Sequence, residues 1–262
     1  MNSPRRSQTQ NTDKHLFKGA NISDLPNDDA GPRFVINATN IQTGKLFRMS
    51  RPYLADYTVG RWLEPRLSLA DAVCASSAFP PFLSPHTIQP VGNPFEPAAK
   101  GPNSDTAFRD RVWLSDGGVY DNLGLETVWK KYRTVLVSDG GGLLESETEP
   151  KRNWAQHGIR VANIADGQVR ALRRKQAVSS YKAGLRSGTY WGLRSDQSKY
   201  PTNKPFAIEP EVVRRARTVP TRLAKLDDPT QAALINWGYV IADTAMRGWM
   251  VKDAPPPTNL PA

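Results

Sequence analysis

Two short strand-like runs that each end in an aspartate followed by glycines constrain this chain more than any other feature. Val112-Trp-Leu-Ser115 runs into Asp116-Gly117-Gly118, and Thr134-Val-Leu-Val137 runs into Asp139-Gly-Gly-Gly142. Between them, Leu123 to Tyr132 reads as a helix that Asn122 can cap. Strand, helix and strand joined by short loops is the pattern of parallel strands linked by a crossover. The expectation is an α/β fold with a mainly parallel sheet.

The flanking segments carry the same punctuation. Phe34-Val-Ile-Asn-Ala-Thr-Asn-Ile41, ending in Thr43-Gly44, predicts a strand and a turn. Ser68-Leu-Ala-Asp71 opens a helix in the manner of a capping box, and Pro80-Pro81 must stop it. An amphipathic segment follows around Ile164 to Ala183, and Asp228-Pro229 opens a last helix that runs to about Met250. Residues 1–32 are polar and lack the apolar stretch of a signal peptide, although they include Arg5, Arg6, Lys14 and Lys18. They read as a linker or disordered arm, and the proline-rich residues 251–262 as a disordered tail. The intervening residues 33–250 hold the folded portion.

Several classes fall away on composition. The longest stretch free of Lys, Arg, Asp and Glu runs from Ala72 to Phe95 and contains Pro80, Pro81, Pro85, Pro90 and Pro94, so it cannot form a spanning helix. With neither a signal peptide nor a span in view, the expected location is the cytoplasm or a membrane surface. The single cysteine, Cys74, excludes an internal disulfide and sits in an apolar helix as a core thiol. His15, His86 and His157 share no zinc spacing and no local catalytic motif, so no metal and no cofactor are expected.

Charge is concentrated rather than spread. The net charge is +10, yet residues 151–225 alone hold 17 basic and 4 acidic side chains. Arg170, Arg173, Arg174, Lys175, Arg214, Arg215 and Arg217 belong to this segment. It suits an anionic membrane surface, or is simply a solvated helix face. Nucleic acid is the weaker partner, because no helix-turn-helix, zinc-finger or RNA-binding signature accompanies the charge.

Asp116 is the sharpest candidate for chemistry. A strand ending in Asp-Gly-Gly sets a carboxylate at a sheet edge, and Gly117 and Gly118 keep bulk away from it. The spacing alone leaves a general base, a metal ligand and a turn residue all open. Asp121 and Asn122 read as turn and cap residues.

The ordered blocks together carry a resemblance. Asn37-Ala-Thr-Asn-Ile-Gln-Thr-Gly44, Leu69-Ala-Asp-Ala-Val-Cys-Ala-Ser-Ser-Ala-Phe-Pro-Pro81 and Asp116-Gly-Gly-Val-Tyr-Asp-Asn-Leu-Gly-Leu-Glu126 resemble the back portion of patatin-like phospholipases. The likeness continues through Tyr190-Trp-Gly192, Pro220-Thr-Arg-Leu223 and Ile235-Asn-Trp-Gly-Tyr239. It implies part of a three-layer α/β/α sandwich and a carboxylic-ester hydrolase acting on lipids. In that family a serine in a Gly-x-Ser-x-Gly elbow works with an aspartate in an Asp-Gly-Ala/Gly motif, without histidine. The matching aspartate is Asp116, with Gly117 and Gly118 as its motif glycines. Burial beside Trp113 and Tyr120 would make it a stronger base.

The chain also departs from that pattern. Of its 19 glycines, none is followed two positions later by serine, so the sequence contains no serine elbow. The family's glycine-rich oxyanion segment should precede the serine and end in arginine. Asp139-Gly-Gly-Gly142 instead follows Asp116 and leads into Leu143-Leu144, which reads as a strand-ending turn. Ser76 and Ser77 lie at a helix end, not on a strand-to-helix elbow, and read as packing residues. The expectation is therefore the aspartate-bearing portion of a lipid acyl hydrolase that is inactive alone. An upstream segment or a separate polypeptide would supply the serine. The alternative is a non-catalytic module that binds anionic lipid through residues 151–225.

Overall fold

The computed structural model describes residues 9–90, 95–97, 102–103, 105–142, 144–220 and 224–262. Residues 1–8, Pro94, Leu143 and residues 221–223 of the Pro220 block lie outside them. Two compact units divide the chain, Met1–Thr127 and Val128–Ala262.

Four consecutive strands build the first unit: β1 (Ile36–Asn40), β2 (Lys45–Ser50), β3 (Tyr53–Asp56) and β4 (Gly60–Leu63). Each pairs antiparallel with the next. The β1–β2 turn closes where Thr43-Gly44 predicts it, with Gly44 at φ +66°. On the far side of β1 lies β7 (Val112–Asp116), also antiparallel, with Ala38 opposite Asp116. The short strands β5 (His86–Ile88) and β6 (Glu96–Pro97) complete the order β5-β7-β1-β2-β3-β4-β6.

Phe47, Met49, Leu54, Trp62 and Leu114 fill the core of this unit. Each large side chain contributes about 1.5–3 kcal/mol by leaving water. Helix α1 (Leu69–Ser76) begins where Ser68 caps it by accepting from the Asp71 N–H. Ala72 and Ala75 are buried against the core, small enough to let the helix lie close to the sheet. Cys74 is buried in the same helix, in keeping with a core thiol.

Asp56 joins two turns of the meander. It is fully buried. Its carboxylate accepts from Asn40 Nδ2 (3.0 Å), Thr43 Oγ1 (2.5 Å), Thr58 N (2.8 Å) and Thr58 Oγ1 (2.8 Å). A buried charge survives only when its lone pairs are met in this way.

The second unit has its own sheet and core. Strand β8 (Thr134–Asp139) pairs in parallel with β9 (Ser187–Gly192), and the 29-residue helix α4 (Trp154–Lys182) connects them. Helices α5 (Pro210–Arg217) and α6 (Asp228–Trp249) bury Ala216, Trp237, Val240 and Ile241 together. Trp237 Nε1 donates to the Leu193 carbonyl at 2.7 Å, and Arg217 stacks over the Trp237 ring at 5.0 Å.

Three sequence expectations need correction. The fold is mixed α/β, but its main sheet is antiparallel, and among the described residues only β8 and β9 run parallel. The crossover pattern exists, but it spans β8 to β9 through α4, not β7 to β8. The helix expected over Leu123 to Tyr132 is shorter, α3 (Leu125–Trp129), and a separate short helix, α2 (Gly118–Asp121), precedes it, with Gly124 at φ +64° between the two.

Both expected disordered ends are partly tied down. Within the polar first segment Ile22 is fully buried in the core, and its N–H donates to the Leu67 carbonyl at 2.8 Å. Leu25 packs on the same core, and the Leu69 N–H donates to the Ala20 carbonyl at 2.9 Å. In the tail, Leu260 packs on the second core, and the Ala262 main chain exchanges two hydrogen bonds with the Asn236 amide.

Candidate functional site

The Asp116 turn is held from three directions, all within the first unit. Its own carboxylate accepts the Gly118 N–H at 2.7 Å, closing the turn. From the end of α1, the Ala78 carbonyl accepts the Asp116 N–H at 2.9 Å and the Ser76 carbonyl accepts the Gly117 N–H at 3.0 Å. From β1, Thr39 Oγ1 donates to the Asp116 carbonyl at 2.7 Å and accepts the Tyr120 N–H at 3.1 Å. Asp116 as a residue is half-buried.

Gly117 and Gly118 are required for different reasons. A Cβ on Gly117 would come within 2.5 Å of the Asn37 carbonyl oxygen. A Cβ on Gly118 would come within 2.9 Å of Asp116 Oδ1. The first glycine lets the turn approach β1, and the second leaves the carboxylate its position.

Trp113 does not desolvate Asp116. Successive strand residues point to opposite faces, so Trp113 lies across the sheet from Asp116's face, and it is 38% exposed. The apolar surface near the turn comes instead from Val119, next to Gly118, and Phe79, next to Ala78. They are 53% and 52% exposed.

Asp121 is buried, and its Oδ2 accepts the Glu126 N–H at 2.5 Å, so Asp121 helps hold the start of α3. Its Oδ1 is buried without a hydrogen-bond partner. Asn37 supports the same region, its Oδ1 accepting from Thr127 Oγ1 at 2.9 Å. Asn37 and Thr39 are the positioning residues that the sequence reading missed. Both stand in the quoted Asn37-Ala-Thr block, but nothing local to that block reveals a contact with a turn some 77 residues later.

The remaining candidates lie elsewhere. Ser77 Oγ donates back to the Val73 carbonyl at 2.8 Å, a local helix bond. His86 Nε2 lies 3.3 Å from Asp71 Oδ1. That is ion-pair range without hydrogen-bond alignment, and no other partner meets this buried nitrogen. The imidazole is the main influence holding the Asp71 carboxyl below its usual range. Burial opposes it and the Ser68 hydroxyl assists. Among the described residues, no three His, Cys, Asp or Glu side chains gather into a group able to hold a metal ion.

Asp139-Gly-Gly-Gly142 forms a turn in the second unit. Asp139 Oδ1 accepts the Gly141 N–H at 2.9 Å, Oδ2 accepts the Tyr190 hydroxyl at 2.6 Å, and Arg170 donates to the Gly142 carbonyl. Burial, and then the bond and charge of Asp139, push the Tyr190 hydroxyl far above its usual range, with Arg174 opposing.

The first unit thus holds a strand-end Asp-Gly-Gly turn braced by a neighbouring strand and by the end of an alanine-rich helix. Residues 8–129 match the family model of patatin-like phospholipases. The matched residues include Asp116 and end within two residues of the first unit's boundary. The match supports a lipid-hydrolase family. No curated protein and no solved structure matches the chain. The Tyr190 and Ile235 blocks lie beyond the matched residues.

Proposed function

We propose that this chain is the aspartate-bearing portion of a patatin-like lipid acyl hydrolase, with Asp116 as general base in a Ser-Asp pair. The serine would come from an upstream segment or a separate polypeptide, because no Gly-x-Ser-x-Gly occurs in the sequence. The observation that carries this reading is the bracing of Asp116. Its backbone is pinned by Thr39 and Ala78, while the residue as a whole stays half-buried.

A hydroxyl is a weak nucleophile until a positioned base takes its proton. In the proposed reaction Asp116 accepts the serine proton as Oγ attacks the ester carbonyl. The resulting oxyanion is held by backbone N–H groups that the serine-bearing segment supplies. As the tetrahedral intermediate collapses, the alcohol leaves with the proton from Asp116. Water then releases the acyl group by the same sequence in reverse. The exposed Phe79 and Val119 offer apolar contact to an acyl chain beside the turn.

The test is hydrolysis of a p-nitrophenyl acyl ester by the purified chain, alone and joined to a serine-bearing segment. The chain alone is expected to be silent, and the joined form active until Asp116→Asn removes the base. Ester turnover by the chain alone, lost in Asp116→Asn, would overturn the split assignment.

A further inference from the structure

The second unit carries an apolar stripe and a cationic cavity along one helix. Helix α4 buries only Ala177. At about 100° per residue, the half-buried Asn163, Arg170 and Arg173 share the side of Ala177, which therefore faces the rest of the unit. Trp154, Val161 and Leu172 fall on the opposite side, with Ile164 and Val169 flanking them. Trp154 is 88% exposed and Leu172 65%. Asp166, the helix's one carboxylate, lies on the packed side.

Past Leu172, on the flank between the stripe and the packed side, Gln176 and Ser180 of α4 line an open cavity of about 380 Å³. Its opposite wall is cationic, made of Lys130, Lys131, Arg133 and Arg186. No carboxylate lines it among the described residues. Arg186 stacks over the Trp129 ring at 4.2 Å and donates to the Tyr132 carbonyl, so one cation is fixed in place. Lys131 and Arg133 are exposed, as are Tyr132 and Leu185 at the rim.

The basic excess in the sequence is not all available for a partner. Arg217 donates to the Leu193 and Ser195 carbonyls, Arg214 pairs with Glu211, and Arg170 holds the Gly142 carbonyl. The cavity draws three of its four cations from residues 130–133, before the basic segment begins.

We infer that the Trp154–Leu172 stripe and the Lys131–Arg133–Arg186 cavity form one docking surface for an anionic lipid bilayer. The stripe enters the interface as the apolar face of an amphipathic helix does, and the cavity takes anionic headgroups. Charge complementarity selects this occupant. A second copy of the chain would bring the same cations against these, whereas an anionic bilayer supplies both apolar depth and negative charge. The inference rests on the proposed lipid substrate only for its setting, and vesicle binding is read without turnover, so its failure leaves the Asp116 assignment untouched.

The experiment is flotation of the full chain with vesicles of phosphatidylcholine, alone or mixed with phosphatidylserine. Two double variants, Trp154→Glu/Leu172→Glu and Lys131→Glu/Arg133→Glu, change exposed side chains only, and circular dichroism checks their folding. The wild type is expected to float with the anionic vesicles and to release with salt, and each double variant to weaken binding roughly tenfold or more. No flotation would overturn the inference, as would equal flotation with neutral vesicles. Stripe variants that leave flotation unchanged but turn a self-associated chain monomeric would assign the surface to a second copy instead. Tighter binding to DNA than to vesicles, lost in Lys131→Glu/Arg133→Glu, would likewise overturn it.

Discussion

Gly117 lies so close beneath Asn37 that a Cβ on it would stand 2.5 Å from the Asn37 carbonyl oxygen. Because the obstacle is backbone in the middle of β1, no side-chain rotation relieves it. Gly117→Ala is expected to destabilise the first unit by about 1–3 kcal/mol, the usual cost of overpacking. Urea unfolding checks this. An unchanged midpoint would mean that β1 and the turn can separate freely.

Gly118→Ala separates stability from function. Gly118 sits at the start of α2, where alanine is at least as favourable, but its Cβ would press on Asp116 Oδ1 at 2.9 Å. The folded chain is expected to melt as the wild type does. Esterase activity with a supplied serine segment should fall about a hundredfold, as misplacement of a reacting group by about 1 Å can cause.

Thr39→Val tests the brace from β1. The hydroxyl donates to the Asp116 carbonyl and accepts from the Tyr120 N–H, so its removal takes a donor from the first and leaves the second only the Gly117 carbonyl at 3.3 Å. The expected loss is about 1–3 kcal/mol in urea unfolding. Thr39→Ser, which keeps the hydroxyl, should recover most of it.

Asp56→Ala removes the carboxylate that joins the two turns and strands its donors from Asn40, Thr43 and Thr58. Breaking a buried polar network of this kind costs about 3 kcal/mol or more. The thermal midpoint should drop, and amide exchange should quicken in both turns.

The Asp71–His86 pair sets part of the acid response. The Asp71 carboxyl is held below its usual value in the folded chain, so it is more readily ionised there than in the unfolded chain. Its contribution to stability is full above the unfolded value of 3.8 and disappears as pH falls through the lower folded value. Asp71→Asn should therefore flatten the decline of the melting temperature in that acid range. An identical acid profile in the variant would remove the pair from the account.

Short-range signals made much of the fold legible. Ser68 and Asp228-Pro229 mark helix starts at the residues where α1 and α6 begin, and Val112 and Thr134 open the strands expected of them. Strand pairing was not legible, since β-branched runs show extension but not direction. The meander from Lys45 to Leu63 carries no Asp-Gly punctuation, so its antiparallel partners left no mark in the sequence. Asp116 was visible because a carboxylate beside two glycines is local. Thr39 and Asn37 were not, because their role exists only once β1 lies beside β7. The cationic cavity was hidden for a similar reason: Lys131 and Arg133 stand apart in sequence from Arg186, and folding brings them together.

The central claim is that Asp116 serves as the base for a serine carried outside this chain. The most direct measurement is p-nitrophenyl ester hydrolysis by the chain joined to a Gly-x-Ser-x-Gly-bearing segment, with Asp116→Asn and the isolated chain beside it. The account predicts turnover in the joined form alone, with loss in Asp116→Asn. Turnover by the isolated chain, or full activity of the joined Asp116→Asn variant, would contradict it.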